Sequence, residues 1–172
     1  MNKVSKLAQL ANFVLYLTLQ VAVAQFIMLF HTTCFVYVAF LLLLPRRREG
    51  LTTLLFISFA VGLLIDMVYN SMGIHAFASV LMVYSRSLLL KLMLSTSGYE
   101  AGIQPTLDNL GWKRFSLFSL SLIGVHHAAL FLLDAGNSLL FFVAMRKLLS
   151  SSLLTYVSVL ITQIPSLLLS KR

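Results

Sequence analysis

Asp66 is the residue in this chain best placed to do chemistry, because it stands inside an apolar run from Leu51 to Tyr69. A carboxylate in hydrocarbon costs several kcal/mol unless it is paired, hydrogen-bonded or protonated, so its presence calls for a role. Three other intramembrane sites share that character: His126 with His127, Asp134 seven residues further on, and Arg86. His75 opens the apolar segment that follows Asp66. At ~1.5 Å per residue, Asp66 lies about 22 Å from the inner end of its segment, and His126 and His127 about 21–22 Å from the inner end of theirs. One aspartate and several histidines therefore share a level in the outer half of the membrane.

Three kinds of chemistry are open to such a set. A metal site would need ligand spacings such as H-E-x-x-H or paired cysteines, and neither occurs. A proton or solute path would use titratable groups at membrane depth. A packing role would have Asp66 and a histidine hydrogen-bond across helices, fixing helix order or holding a partner's helix, and the residue types favour this one. Arg86 has a stem long enough to snorkel towards the cytoplasmic face, the cheaper account; a buried ion pair is the sharper one. No nucleophile elbow or phosphate loop is present, and Ser116, Ser119 and Ser121 have spacings that suit helix packing. Gly124 would allow a close helix crossing for the same reason. The chain is expected to be no enzyme and to need no cofactor or metal.

These residues must be held by helices in a bilayer. Hydrophobic residues make up 59% of the 172 and charged ones 10%, and mean hydropathy is +0.94, which together mark an all-α, polytopic integral membrane protein. No polar stretch is long enough to form a soluble module, so residues 1–172 make one domain. Apolar runs predict six spans, at about 7–29, 31–45, 51–69, 74–94, 112–133 and 148–169, with loops at 46–50 and 95–111. The second run is short for a full crossing, and the stretch from Leu139 to Lys147 is too short to cross alone. The N-terminal run resembles a signal peptide at Ala22-Val23-Ala24, but Asn12, Gln20 and its continuation to Leu44 favour a retained span. Cys34, the single cysteine, excludes an intramolecular disulfide.

The net charge of +8 is explained by topology, not by nucleic acid. Six crossings with Lys3 and Lys6 inside leave only Arg146 and Lys147, of 13 basic residues, on the outer side. Both termini are then cytoplasmic. Arg46, Arg47 and Arg48 form a basic turn suited to anionic lipid or cytoplasmic partners.

Over residues 62–78 the sequence resembles the bacterial rod shape-determining protein MreD family. The likeness is carried by Gly62, Asp66, Gly73, His75 and Ala76: a glycine-bearing helix ending in a lone aspartate, a glycine turn, then a span opening with a polar residue and alanine. Length, six-span layout, the loop at Gln104-Pro105-Thr106 and the His126-His127 pair add to it, while Asn70-Ser71-Met72 departs from the commoner turn. The resemblance implies an adaptor in the bacterial cytoplasmic membrane that binds the transmembrane helix of the MreC scaffold. It would act beside MreB, RodZ, a RodA-type polymerase and a class B penicillin-binding protein in lateral peptidoglycan synthesis. The outline is also similar to the substrate-binding subunits of energy-coupling-factor vitamin transporters, which gives the alternative of a small-molecule carrier.

Overall fold

The computed structural model describes residues 14–16, 18–20, 22, 32–44, 50–97, 105–135 and 141–170, with side chains except at 94–97 and 165–170. All regular structure among these residues is helical. We name five of the helices α1 (Tyr37–Leu43), α2 (Leu51–Tyr69), α3 (Ile74–Ser97), α4 (Leu107–Ala135) and α5 (Phe141–Ser170). Four of them, α2 to α5, are long and apolar enough to cross a membrane. Most of the 7–29 run, and Arg46, Arg47 and Arg48, lie outside the described residues.

The four long helices pack in chain order, α2 on α3, α3 on α4 and α4 on α5. Short connections make such neighbours antiparallel. The stretch before Leu148 belongs to α5, which runs unbroken from Phe141. Helix α4 begins with one turn at Leu107 and kinks at Gly111, whose backbone leaves the helical region. Gly124 has open space where a Cβ would stand, so no close crossing is made there among the described residues. The close approach is at Gly62 instead. A Cβ on Gly62 would lie 2.4 Å from the Cα of Ala76, so α2 and α3 meet backbone to backbone.

The second apolar run does not form one continuous helix. Residues 32–35 are extended or irregular, and α1 supplies only seven residues, about 10 Å of length against a hydrocarbon core of about 30 Å. Nothing in Thr32-Thr33-Cys34-Phe35 forbids a helix. What permits the interruption is burial within the protein, since irregular backbone at membrane depth is tolerated only where its polar groups find partners. Tyr37, Val38, Ala39, Leu41 and Leu42 are all within 1% of full burial, while Phe40 and Leu43 are only partly buried, so α1 is enclosed on most of its circumference. It packs against α3, α4 and α5.

The buried polar side chains supply those partners. Ser151 Oγ accepts the N–H of Thr33 at 3.2 Å, and Thr155 Oγ1 accepts that of Phe35 at 3.1 Å. Gln20 accepts the N–H of Tyr37 at 3.2 Å and donates to the carbonyl of Cys34 at 3.1 Å. At the other end of α1, Arg86 donates through Nε to the carbonyl of Leu42 at 3.1 Å and through a terminal nitrogen to that of Leu44. Arg86 is only 2% exposed, so it does not snorkel. It stays inside, where its charge suits the negative end of a helix dipole. Gln163 does the corresponding work for α4, accepting the N–H of Leu107 at 3.2 Å. Long polar side chains in this bundle close the ends of helices to which they do not belong.

Candidate functional site: a capped hairpin, a histidine cluster and a cavity

Helix α2 stops at Asn70, which adopts the left-handed conformation (φ 54°) and donates its N–H to the carbonyl of Asp66. Ser71 donates to the same carbonyl at 3.1 Å. The turn then needs Gly73 at φ 91°, a backbone that residues with a Cβ rarely adopt. This brings the first turn of α3 over the Asp66 side chain. One carboxylate oxygen accepts the Ser71 hydroxyl at 2.5 Å and the His75 N–H at 3.0 Å. The other accepts the N–H of Ala76 at 2.9 Å. The carboxylate thus satisfies two of the four unpaired N–H groups at a helix start and lies at the positive end of the dipole. Asp66 is 5% exposed, and its partners are all in its own chain among the described residues.

Gly62, Asp66, Gly73, His75 and Ala76 are therefore one hairpin clasp: Gly62 admits Ala76, Gly73 turns the chain, and Asp66 holds the amides of His75 and Ala76. The cross-helix bond anticipated for Asp66 is present, but it runs to backbone amides and not to a histidine ring.

The three histidines on α3 and α4 do converge, around Phe35. Its ring centre is 5.3 Å from those of His75 and His127 and 6.0 Å from that of His126. The hydrogen bonds fix the His127 tautomer. Its Nδ1 is 2.9 Å from the carbonyl of Ile123, which can only accept, so Nδ1 carries the proton. Nε2 then accepts from the Thr155 hydroxyl at 3.2 Å. Tyr37 joins the other two: its hydroxyl is 2.7 Å from His126 Nε2 and 3.0 Å from His75 Nδ1. His126 Nδ1 and the hydroxyl of Ser79 are buried without a partner among the described residues.

Beside this cluster lies a cavity of about 380 Å³. Thr32, Thr33 and Phe35 line it from the irregular segment, Tyr69, Ser71, Ile74 and His75 from the α2–α3 turn. Leu130, Phe131 and Asp134 of α4 and Lys147 of α5 also line it. Asp134 and Lys147 pair at 4.0 Å, with side chains 58% and 35% exposed. Of the residues anticipated from the sequence, His75 and Asp134 meet at this cavity, while His126 and His127 stand behind it. Arg86 belongs to the far end of α1 and joins neither group. Among the described residues, no group of three or more His, Cys, Asp and Glu side chains is arranged to hold a metal ion.

Sequence reasoning passed over Gln20, Tyr37, Tyr69 and Thr155, which tie the cluster together. Gln20 carried a usable signal, an amide in an apolar run. Tyr37 and Thr155 carried none, because tyrosine and threonine are common in apolar helices that bury nothing of note. No family model, curated protein or solved structure matches the chain.

Proposed function

We propose that this chain is a membrane adaptor of the bacterial cell-elongation complex, of the MreD kind, binding the single transmembrane helix of an MreC-like scaffold. The observation that carries the reading is the clasp. The five residues on which the resemblance rests are mutually joined, by the Gly62–Ala76 approach and by the Asp66 bonds to the amides of His75 and Ala76. The likeness is thus a likeness of a structural unit. In this reading the chain crosses the bacterial cytoplasmic membrane six times with both termini cytoplasmic, and Arg46, Arg47 and Arg48 meet anionic lipid. It performs no catalysis and acts beside the filament, polymerase and transpeptidase proteins of wall synthesis.

With Asp66 and Gly62 occupied inside the hairpin, a partner helix is met by outward-facing side chains. Phe56, Phe59, Leu63 and Met67 of α2 are 38–70% exposed and recur along one side of the helix. The test is affinity purification of the tagged chain from its native membrane. A single-span periplasmic scaffold should co-purify, and Met67→Trp should reduce its recovery without lowering the protein's thermal midpoint. Failure to recover any single-span partner from mildly solubilised membranes would refute the adaptor.

A small-molecule carrier of the energy-coupling-factor type is the second reading, and the cavity beside His75 is the observation that favours it. A carrier would co-purify with an energising ATPase module in place of the scaffold.

A further inference from the structure

We propose that the cavity beside His75 is a binding site for a small amphipathic molecule whose head is an oxyanion, a carboxylate or a phosphate. His126 Nδ1 is buried and unpartnered among the described residues, and an orphaned N–H is costlier and rarer than an orphaned acceptor. The proton of His126 therefore sits on Nε2 and is donated to the Tyr37 oxygen, 2.7 Å away. Tyr37 in turn donates its hydroxyl proton to His75 Nδ1 at 3.0 Å. His75 is left with its own proton on Nε2, an atom that bonds nothing among the described residues, on a side chain that lines the cavity.

Tyr69 presents a second donor. Gln20 is oriented by the Tyr37 N–H, which its oxygen accepts, so its amide nitrogen donates to the Tyr69 oxygen at 2.9 Å. The Tyr69 hydroxyl proton is thereby free for another acceptor. The rings of Tyr69 and His75 stack at 5.3 Å, so the two side chains stand side by side in the lining. Lys147 adds an ammonium at the rim, loosely paired with Asp134 at 4.0 Å. In the same lining, Phe35, Leu130 and Phe131 offer apolar surface. A lining that joins these donors to apolar surface selects a ligand with acceptor oxygens and a hydrocarbon body. About 380 Å³ holds much more than a bare inorganic anion.

The same chemistry has two sources, a phospholipid head group and a soluble organic acid or phosphate ester. The proposal shares only its cavity with the carrier reading, so absence of an energising partner would leave it standing. The full-length protein in detergent is titrated calorimetrically with 4-phenylbutyrate, phenyl phosphate and 4-phenylbutan-1-ol. The two anions should bind about tenfold more tightly than the alcohol. Tyr69→Phe should weaken anion binding about three- to tenfold while barely changing that of the alcohol. Ile74→Trp, which fills the cavity and touches no polar partner, should abolish binding of all three. Equal affinity for anions and alcohol, no binding of any, or binding indifferent to Ile74→Trp overturns the proposal. Native mass spectrometry of protein that binds the probes separates the sources: a retained phospholipid assigns the head group, and a retained organic acid or phosphate ester the soluble one.

Discussion

The Asp66 carboxylate accepts the backbone N–H of Ala76 at 2.9 Å, so a residue near the end of one membrane helix closes the beginning of the next. The same side chain holds the His75 N–H and the Ser71 hydroxyl. Replacing it with leucine leaves two buried amides without acceptors. Each hydrogen bond to a charged group contributes about 1.5–3 kcal/mol, so Asp66→Leu should cost about 3 kcal/mol or more. Asp66→Asn keeps one oxygen and should lose roughly half as much. Thermal unfolding in detergent checks the order. Equal midpoints for Asp66→Leu and the unaltered protein would remove the capping account.

Two glycines in apolar helices should respond in opposite ways. A Cβ at Gly62 meets the backbone of Ala76 and the carbonyl of His75, atoms that cannot move without parting α2 from α3. Gly62→Ala should therefore destabilise by about 1–3 kcal/mol, the usual range for overpacking. Gly124→Ala meets nothing within 4 Å among the described residues and should be neutral or slightly stabilising, by up to about 1 kcal/mol through helix propensity. Chemical denaturation of the two variants side by side tests the contrast. A neutral Gly62→Ala would mean that the close approach is not needed.

Much of this hairpin was legible in the sequence. The run from Leu51 to Tyr69 forms a helix with those limits, because nothing in it interrupts helical backbone and Asn70 is free to take the left-handed cap. That Asp66 needed partners was legible too, since burial of a charge is a cost that composition alone reveals. Which partners it has was not. Depth arithmetic places a residue along the membrane normal and says nothing of its lateral neighbours, so His126 and His127 shared its level while the amides of His75 and Ala76 took its bonds. The interruption at residues 32–35 was hidden for a related reason. Its backbone is released from a helix by Ser151, Thr155 and Gln20, which lie 14 to 120 residues away in sequence.

That interruption is open to a direct test at Thr155. Its hydroxyl oxygen accepts the N–H of Phe35 at 3.1 Å while its proton goes to His127 Nε2 at 3.2 Å. Valine matches its shape and removes both bonds, leaving a buried N–H and a buried ring nitrogen unpaired. Thr155→Val should cost about 1–3 kcal/mol, and Thr155→Ser should recover most of it. Hydrogen exchange at the Phe35 amide, followed by mass spectrometry, should speed up in the valine variant. Unchanged exchange there would show that the amide is protected by burial alone.

Arg86 gives the sharpest separation between charge and geometry. A snorkelling arginine tolerates lysine, because either cation reaches the interface. An arginine that closes a helix does not, because its fork spans the carbonyls of both Leu42 and Leu44 and a single ammonium cannot match that reach. Arg86→Lys should therefore be clearly destabilising even though the charge is kept, and Arg86→Leu more so, by about 2–4 kcal/mol. The loss should appear first as fraying of α1, whose Tyr37, Val38, Ala39, Leu41 and Leu42 are buried, and so as faster proteolysis between Leu44 and Leu51. A lysine variant with unchanged stability would return Arg86 to the interface. A lysine variant weakened nearly as much as leucine would establish that the guanidinium's shape, more than its charge, holds the buried helix in place.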